Sequence, residues 1–165
     1  MTILTTDRLV LRHFHMQDAP EMARQLGAWD VAKWLTSPPW PYGLADAEWF
    51  IDDASSDDSF AITRDGALLG VVGGLDDLGY WLGQSHWGKG YMTEAARALV
   101  DHRFQQGLKQ MHSGYILGNE ASARVLAKLG FTPTEVKTEL SVPRQAKVQL
   151  QRMVLDRATW EARNV

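Results

Sequence analysis

The chain contains no cysteine among its 165 residues, and this absence removes several kinds of chemistry together. Disulfide bonds, zinc–thiolate sites and a cysteine nucleophile all require a thiol sulfur, so none of them can occur. The absence is also compatible with a reducing compartment.

Long apolar runs and a concentration of basic residues are missing as well. No run approaches the roughly 20 apolar residues that a membrane helix needs, and MTILTTDRLVLR carries charges too early for a signal peptide. Lys and Arg are scattered in a chain of formal charge −3 and pI about 5.9, whereas nucleic-acid-binding surfaces concentrate positive charge. We therefore expect a cytoplasmic protein that binds neither membranes nor nucleic acids.

The remaining composition is that of an ordinary globular protein. Hydrophobic residues make up 45% and charged residues 22% of the chain, which is enough apolar material for a core. A length of 165 residues favours one domain, and no repeat, linker or low-complexity segment divides it. The prediction is a single domain over residues 1–165.

Hydrophobic periodicity predicts an alternation of strands and helices. Alternating and apolar runs indicate strands at 7–14, 60–62, 68–72, 78–82, 111–117, about 136–142 and 147–155. Helical spacing indicates helices at 18–26, 45–54, 91–106 and 120–129. Residues 36–43 form a loop because they contain three prolines, and 55–59 form a polar turn.

The predicted order is β-α-α-β-β-β-α-β-α-β-β, an α/β (α+β) arrangement. Asp65-Gly66 is a type I′ turn signal between two apolar runs, so 59–74 should be a hairpin. Asp18 is the expected N-cap of the first helix. Strands 78–82 and 111–117 flank helix 91–106, and such a β-α-β unit predicts parallel strands with a right-handed crossover.

The segment from Gly83 to Ala95 has the pattern of an anion-binding turn. Gly88 and Gly90 flank Lys89 and open a strongly predicted helix. Glycine permits positive φ, so successive backbone N–H groups can point into one concavity, and the helix N-terminus adds partial positive charge. The combination is suited to a pyrophosphate. From the glycines alone, a plain strand-to-helix turn is an equal alternative.

A phosphate loop of the G-x-x-x-x-G-K-[ST] type fits this segment poorly. Gly83, Gly88 and Lys89 match the first positions, but Gly90 stands where the magnesium-binding hydroxyl belongs. No later apolar strand ends in an obvious magnesium-binding aspartate. Hydrolysis of a nucleoside triphosphate is therefore not favoured.

A second informative cluster begins at Asn119. Asn119 is a helix N-cap candidate, and Ser122 falls in the first turn, close to the helix mouth. Considered singly, Asn119 is explained by capping and Ser122 by solvation. Their position after a strand and before a predicted amphipathic helix leaves a binding role open.

Taken together, the motifs resemble a known family. The strings GYWL, HWGKGYMTEA and N-x-x-S-A-R-V-L-A-K-L-G-F, in this order, resemble the GNAT acetyltransferase superfamily. With DRLVLR and LQRMVLDRATW they are similar to the branch of the ribosomal-protein N-acetyltransferases RimJ and RimL. The resemblance covers about residues 5–160 and is most specific from 78 to 131.

The resemblance implies a mixed, twisted sheet that splays between strands 78–82 and 111–117, with acetyl-CoA in the gap. The pantetheine arm would pair with the backbone of Tyr80, Trp81 and Leu82. The pyrophosphate would lie on the N–H groups of His86, Trp87, Gly88, Lys89, Gly90, Tyr91 and Met92. Asn119, Ser122 and Lys128 would lie along the cofactor, and no metal would be involved.

The implied activity is direct transfer of an acetyl group to an amine, either a protein α-amino group or a small amine. The resemblance makes Ser122 the expected acid and Glu139 a candidate base, although alternation allows Glu139 to be a solvated edge residue. One wall of the acceptor site would hold Trp29, Trp34, Trp40 and Tyr42. Ser85 stands where the superfamily loop has Gln or Arg. A non-catalytic acyl-CoA-binding module is the alternative function.

Overall fold

The computed structural model describes residues 1–55 and 58–163, so two residues of the predicted polar turn, Ser56 and Asp57, lie outside it. The strands are β1 Leu4–Thr5, β2 Val10–Arg12, β3 Ser59–Arg64, β4 Ala67–Gly73, β5 Gly79–Leu82, β6 Gln110–Ile116, β7 Thr132–Ser141 and β8 Ala146–Asp156. The helices are α1 Ala19–Leu26, α2 Trp29–Ala32, α3 Leu44–Trp49, α4 Tyr91–Gln105, α5 Glu120–Leu129 and α6 Arg157–Arg163. Short 3₁₀ turns occupy Met16–Asp18 and Gln84–His86, and a π-turn occupies Phe50–Ala54.

Most predicted elements are present, because their local signals are strong. The hairpin of β3 and β4 turns at Asp65 and Gly66, whose φ angles of 51° and 82° suit a type I′ turn. Helices α4 and α5 occupy the expected ranges. The structure adds β1, α2 and α6, and β7 begins earlier than expected. None of the helices within the described ranges combines the length and apolarity needed to cross a bilayer.

The strands form two antiparallel parts that splay between β5 and β6, as the resemblance implied. One has the order β1-β2-β3-β4-β5 and the other β6-β8-β7. Parallel pairing between the β5 and β6 regions is limited to one bridge, Asp77 with His112. The prediction of parallel neighbours thus holds at one point, and beyond it β6 pairs with β8 instead.

The bridge fixes the place where the two sheets separate. The Leu78 N–H donates to the His112 carbonyl at 2.8 Å, and the His112 N–H donates to the Asp76 carbonyl at 2.7 Å. The buried Ser113 hydroxyl donates to the Leu78 carbonyl at 2.8 Å. Residues beyond these bonds diverge, since Gly79–Leu82 pair with β4 and Ser113–Ile116 pair with β8.

Helix α4 fills the space between the sheets on one side. Its buried face carries Leu99 and Phe104, both with no exposed surface, and packs with Leu11 of β2 and Met111 of β6 in the main core. A second apolar cluster packs α1 and α3 on the other side of the first sheet. The sheets are therefore held together at one end by packing and backbone bonds, while the other end remains apart.

Asp18 has a different local role from the one expected. Its carboxylate does not cap α1; it accepts two hydrogen bonds from the Arg12 guanidinium, at 2.8 and 2.9 Å, and one from the His15 N–H at 2.8 Å. Burial alone would raise the pKa of Asp18, but the hydrogen bonds from Arg12 and His15 outweigh it, so the pKa lies below its usual value. The ion pair therefore ties β2 to the start of α1.

We expect Asp18→Asn to lower the free energy of unfolding at pH 7 by about 1–3 kcal/mol, because it removes charge from largely buried hydrogen bonds. A carboxyl with a depressed pKa stabilises the fold above its unfolded pKa of about 3.9, and this contribution is lost as the pH falls through the folded pKa. Denaturant unfolding should therefore show the variant and wild type converging in acid. Glu21→Gln, which breaks the exposed Arg24 pair, should cost under about 1 kcal/mol. An equal loss in both variants would contradict the assignment.

Candidate functional site

The separation of β5 from β6 opens a cavity of about 860 Å³. Its walls come from β5, the loop before α4, the first turns of α4 and α5, and one face of the β6-β8-β7 sheet. Of the sequence-predicted residues, the following line it: Trp34, Tyr80, Trp81, Leu82, His86, Trp87, Gly88, Gly90, Tyr91, Met92, Asn119, Ser122, Lys128 and Glu139. The fold therefore brings the two motif clusters into one space.

The glycine loop has the backbone conformation that an anion-binding turn needs. Gly88 and Gly90 have φ angles of 76° and 80°, in the left-handed region that favours glycine. Gly90 is the N-cap of α4, and a Cβ on Gly88 would meet open space. Position 88 therefore requires glycine because of its backbone conformation, and not because a side chain would clash with a neighbouring atom. The first turn of α4, with Tyr91, Met92 and Thr93, lines the cavity.

Arg8, from the turn between β1 and β2, holds this loop in place. Its Nη1 donates to the Lys89 carbonyl at 2.9 Å, and its Nε donates to Glu94 Oε2 at 2.7 Å. The guanidinium lies 4.5 Å from the centroid of the Tyr91 ring. The Thr6 hydroxyl donates to Glu94 Oε1 at 2.6 Å, and the hydrogen bonds from Arg8 and Thr6 hold the pKa of Glu94 below its usual value although burial opposes this.

Lys89 itself does not face the cavity. Its Nζ lies 3.4 Å from the Ser85 carbonyl oxygen, so the Lys89 side chain lies back across the loop that contains it. His86 does line the cavity, and burial, followed by the charge of Lys89, lowers its pKa. Lys89 therefore does not replace the missing Gln or Arg at Ser85, and the contacts of Arg8 stabilise the loop.

Two hydroxyl groups meet at the N-terminus of α5. The Asn119 side chain caps the helix by accepting from the Ser122 N–H at 3.3 Å, as expected from the sequence. The Ser122 Oγ lies 2.7 Å from the Tyr80 hydroxyl, and either can donate. Burial raises the pKa of Tyr80 to about 12, although the Ser122 hydrogen bond opposes this, so the phenol keeps its proton at neutral pH.

Sequence reasoning assigned only the backbone of Tyr80 to the site and missed its side chain. The signal was present in the alternation of β5, which points Tyr80 and Trp81 to opposite sides of the sheet. Tyr80 packs against the main core, and Trp81 packs against the cluster around α1. The partner of the Tyr80 hydroxyl could not be read from the sequence, because Ser122 is 42 residues away.

The opposite wall contains Glu139 and Arg152. Glu139 is an exposed residue of β7, opposite Val148 of β8, and its side chain lines the cavity. Arg152 Nη2 lies 3.0 Å from Asp77 Oδ1, which joins the second sheet to the residue at the separation point. This wall therefore presents one ion pair and one further carboxylate.

The predicted wall of four aromatic side chains is reduced to one in the structure. Trp34 lines the cavity. Trp29 and Trp40 instead pack edge to face, with ring centroids 5.0 Å apart, outside the cavity lining. Tyr42 is a core residue with 9% exposure, and its hydroxyl lies 3.8 Å from Met22 Sδ. Tyr42 is needed to cover the apolar face of α1, which explains its position.

The two sheets separate into an opening that is lined by a glycine loop and by the first turns of two helices, and this arrangement agrees with the acetyltransferase fold that the resemblance implied. Residues 8–132 match the family model of the acetyltransferase (GNAT) domain, and the chain belongs to this family.

Relatives and solved structures agree with this assignment. The uncharacterized N-acetyltransferase p20 of Bacillus licheniformis is 27% identical over 147 residues, covering 79% of this chain and 83% of that protein. A GNAT-family acetyltransferase of Bacillus anthracis superposes with a TM-score of 0.83 at 19% identity, over 94% of this chain and 98% of the other. The microcin C7 self-immunity acetyltransferase MccE, crystallised with acetyl-CoA and AMP, superposes with a TM-score of 0.77 at 20% identity, over 92% and 93% of the two chains.

Among ribosomal-protein enzymes, RimL, the L7/L12 α-N-protein acetyltransferase crystallised with coenzyme A, superposes with a TM-score of 0.80 at 17% identity, over 94% of this chain and 98% of the other. The ribosomal-protein-serine acetyltransferase of Escherichia coli is 31% identical over 81 residues, which is 44% of this chain and 45% of that protein. These neighbours establish the fold and leave the acceptor open.

We expect Arg8→Ala to loosen the glycine loop before it affects the rest of the fold. Hydrogen exchange at the Glu94 amide, which donates to the Gly90 carbonyl at 3.1 Å, should quicken roughly fivefold. This corresponds to about 1 kcal/mol after allowing for partial solvent screening of the Arg8–Glu94 pair. The control is Arg24→Ala, which removes an exposed ion pair on α1. Unchanged exchange at Glu94 in Arg8→Ala would show that the loop holds its shape without this contact.

Proposed function

We propose that this protein transfers an acetyl group from acetyl-CoA directly to an amine, either a protein α-amino group or a small amine. Acetyl-CoA as the acetyl donor follows from membership of the acetyltransferase family and from neighbours that were crystallised with acetyl-CoA or coenzyme A. The observation that carries the proposal is the meeting of an anion-binding turn with an unpaired strand edge in one cavity. Direct transfer is favoured because no cysteine is present to carry an acyl intermediate.

The cofactor can occupy this cavity along its whole length. One edge of β5 pairs with β4, and over residues 79–82 no described strand pairs with the other edge. The amides of the pantetheine arm would pair with Tyr80, Trp81 and Leu82 there, as an added strand would. The pyrophosphate would lie on the N–H groups between His86 and Met92. Asn119, Ser122 and Lys128 line the cavity and would lie along the cofactor.

The leaving thiolate needs a proton donor, and Ser122 is placed to supply one. Ser122 lies in the first turn of α5, where the partial positive charge of the helix favours a developing anion. The Tyr80 phenol would donate to Ser122 Oγ and replace the proton that the serine gives to the sulfur, so that no serine alkoxide remains. The phenol would then regain its proton from water. A backbone N–H of β5 would stabilise the thioester oxygen as its charge develops.

The attacking amine must lose a proton, and Glu139 is the proposed acceptor, through water where the distance requires it. Glu139 lines the cavity from the second sheet, across the opening from β5. An α-amine, with a pKa of about 8, is neutral far more often at pH 7 than a lysine amine with a pKa of about 10.4. The proposal therefore favours α-amines and amines of similarly low pKa as acceptors.

The direct test is release of coenzyme A from acetyl-CoA over a panel of amines and short peptides, accompanied by thermal unfolding. Acetyl-CoA should raise the melting temperature, because a ligand selective for the native state stabilises it by mass action. ATP with magnesium should do so less. Stabilisation by acetyl-CoA with no turnover on any amine would instead favour a non-catalytic acyl-CoA-binding module.

We expect Gly88→Val to raise the KM for acetyl-CoA at least tenfold, because a side chain there would keep the pyrophosphate from the backbone. The matched control is Gly66→Val in the β3–β4 turn. Both glycines have positive φ, 76° and 82°, and a Cβ at either would meet open space. Both variants should therefore lose a similar stability of about 1–3 kcal/mol, and only Gly88→Val should change KM. An unchanged KM in folded Gly88→Val would place the cofactor elsewhere.

We expect Ser122→Ala and Glu139→Gln each to lower kcat about 100-fold with little change in the KM for acetyl-CoA. The deficit of Glu139→Gln should shrink as the pH rises, because more of the amine is then already neutral. Glu135→Gln is the control, since Glu135 is an exposed residue of the same strand that does not line the cavity. Wild-type kcat in Glu139→Gln at neutral pH would remove Glu139 from the mechanism.

A further inference from the structure

The cavity has two chemically different halves, because strand alternation sends neighbouring residues to opposite sides. On the side of Tyr80, the wall is formed by the glycine loop and α5, where the cofactor is proposed to lie. On the side of Trp81, the wall comes from the α2 region and from the second sheet. The apolar side chains of this second half are Val31, Trp34, Leu35, Trp81, Ile116 and Leu150.

The second half is preformed. The Trp34 ring packs with Ile116, Val148 and Leu150, and a Cβ on Gly118 would lie 3.8 Å from it. The Arg144 guanidinium lies 5.2 Å from the ring centroid. These contacts from three parts of the chain fix the indole, so the apolar wall does not need to assemble around a ligand.

The charges of this half leave one place for a cation. Asp77 is engaged by Arg152 at 3.0 Å, so their charges offset each other. Glu139 forms no salt bridge with any residue in the described ranges. An acceptor can therefore place one ammonium group near Glu139, while a second one would enter an apolar space that already contains a guanidinium.

We propose that the acceptor is a primary monoamine carried on an apolar body, and not a polyamine or a polycationic sugar. This inference rests on the proposed acetyl transfer and specifies its second substrate. Each methylene that the acceptor buries against the apolar wall should favour binding about fourfold. Burial of a second ammonium without a partner is strongly disfavoured, because no opposite charge in that space would compensate for its loss of hydration. The same chemistry occurs in small alkylamines and in peptide N-termini with an apolar first side chain.

The test compares substrates that differ in one feature. Hexylamine and hexane-1,6-diamine have the same chain, and the diamine adds only a second ammonium. We expect kcat/KM to be at least tenfold higher for hexylamine. The peptides Leu-Ala-Ala and Lys-Ala-Ala separate the peptide source from the small-molecule source, and we expect the Leu peptide to be preferred if the acceptor is an N-terminus. Equal or better use of the diamine, or of the Lys peptide, would overturn the inference while leaving acetyl transfer established.

A substitution that is designed to change the substrate preference provides an independent test. Ser37 is an exposed residue of the cavity lining, and Ser37→Glu adds a second carboxylate without disturbing the core. We expect it to raise kcat/KM for the diamine relative to hexylamine at least fivefold. Thr138→Glu, an exposed change on β7 outside the cavity lining, should leave the ratio unchanged. A Ser37→Glu ratio equal to that of wild type would contradict the charge argument, whereas the absence of turnover on every amine would contradict the proposed function itself.

Discussion

The architecture depends on a short stretch of backbone pairing where the two sheets meet. The bonds that join Asp76 and Leu78 to His112, with the Ser113 hydroxyl on the Leu78 carbonyl, hold β5 and β6 together at one end only. Because each strand then pairs with a different neighbour, no strand in the described part of the chain pairs with the second edge of β5 over residues 79–82. An unpaired strand edge is a template for a further strand. The cavity, and the room for an extended cofactor, follow from this partial pairing.

The glycine loop depends on a contact that is distant in the chain. Glycine at positions 88 and 90 permits the positive φ angles of the turn. It does not make the loop rigid, because glycine loses more conformational freedom on folding than any other residue. Arg8 supplies part of that rigidity by bonding to the Lys89 carbonyl and to Glu94. The turn between the first two strands thus holds in place a loop more than 80 residues away, where the pyrophosphate is proposed to bind.

The alternation of side chains along β5 separates the proposed cofactor side of the cavity from the proposed acceptor side. Tyr80 and Trp81 are neighbours in sequence, yet one meets Ser122 on the proposed cofactor side and the other faces the proposed acceptor side. One strand can therefore supply both the hydroxyl that contacts the proposed acid, Ser122, and a side chain of the proposed acceptor wall, without the two competing for space. On the second sheet, Glu139 and Arg152 face the same cavity from different strands, so the charge that an acceptor meets depends on the register of β7 and β8.

Local sequence signals predicted the elements that carry their own stabilisation. Hydrogen bonds between residues close in the chain stabilise the Asp65-Gly66 turn, the Asn119 cap and the helix of residues 91–105, so their sequence patterns predicted them directly. The conformation of the glycine loop was predicted in the same way. Tertiary structure decided the rest. Four features join residues that are far apart in the chain: the pairing of β6 with β8, the Tyr80–Ser122 contact, the contact of Arg8 with the glycine loop and the burial of Tyr42. Such contacts arise from how the two sheets and α4 pack together, and no local pattern of residues specifies them.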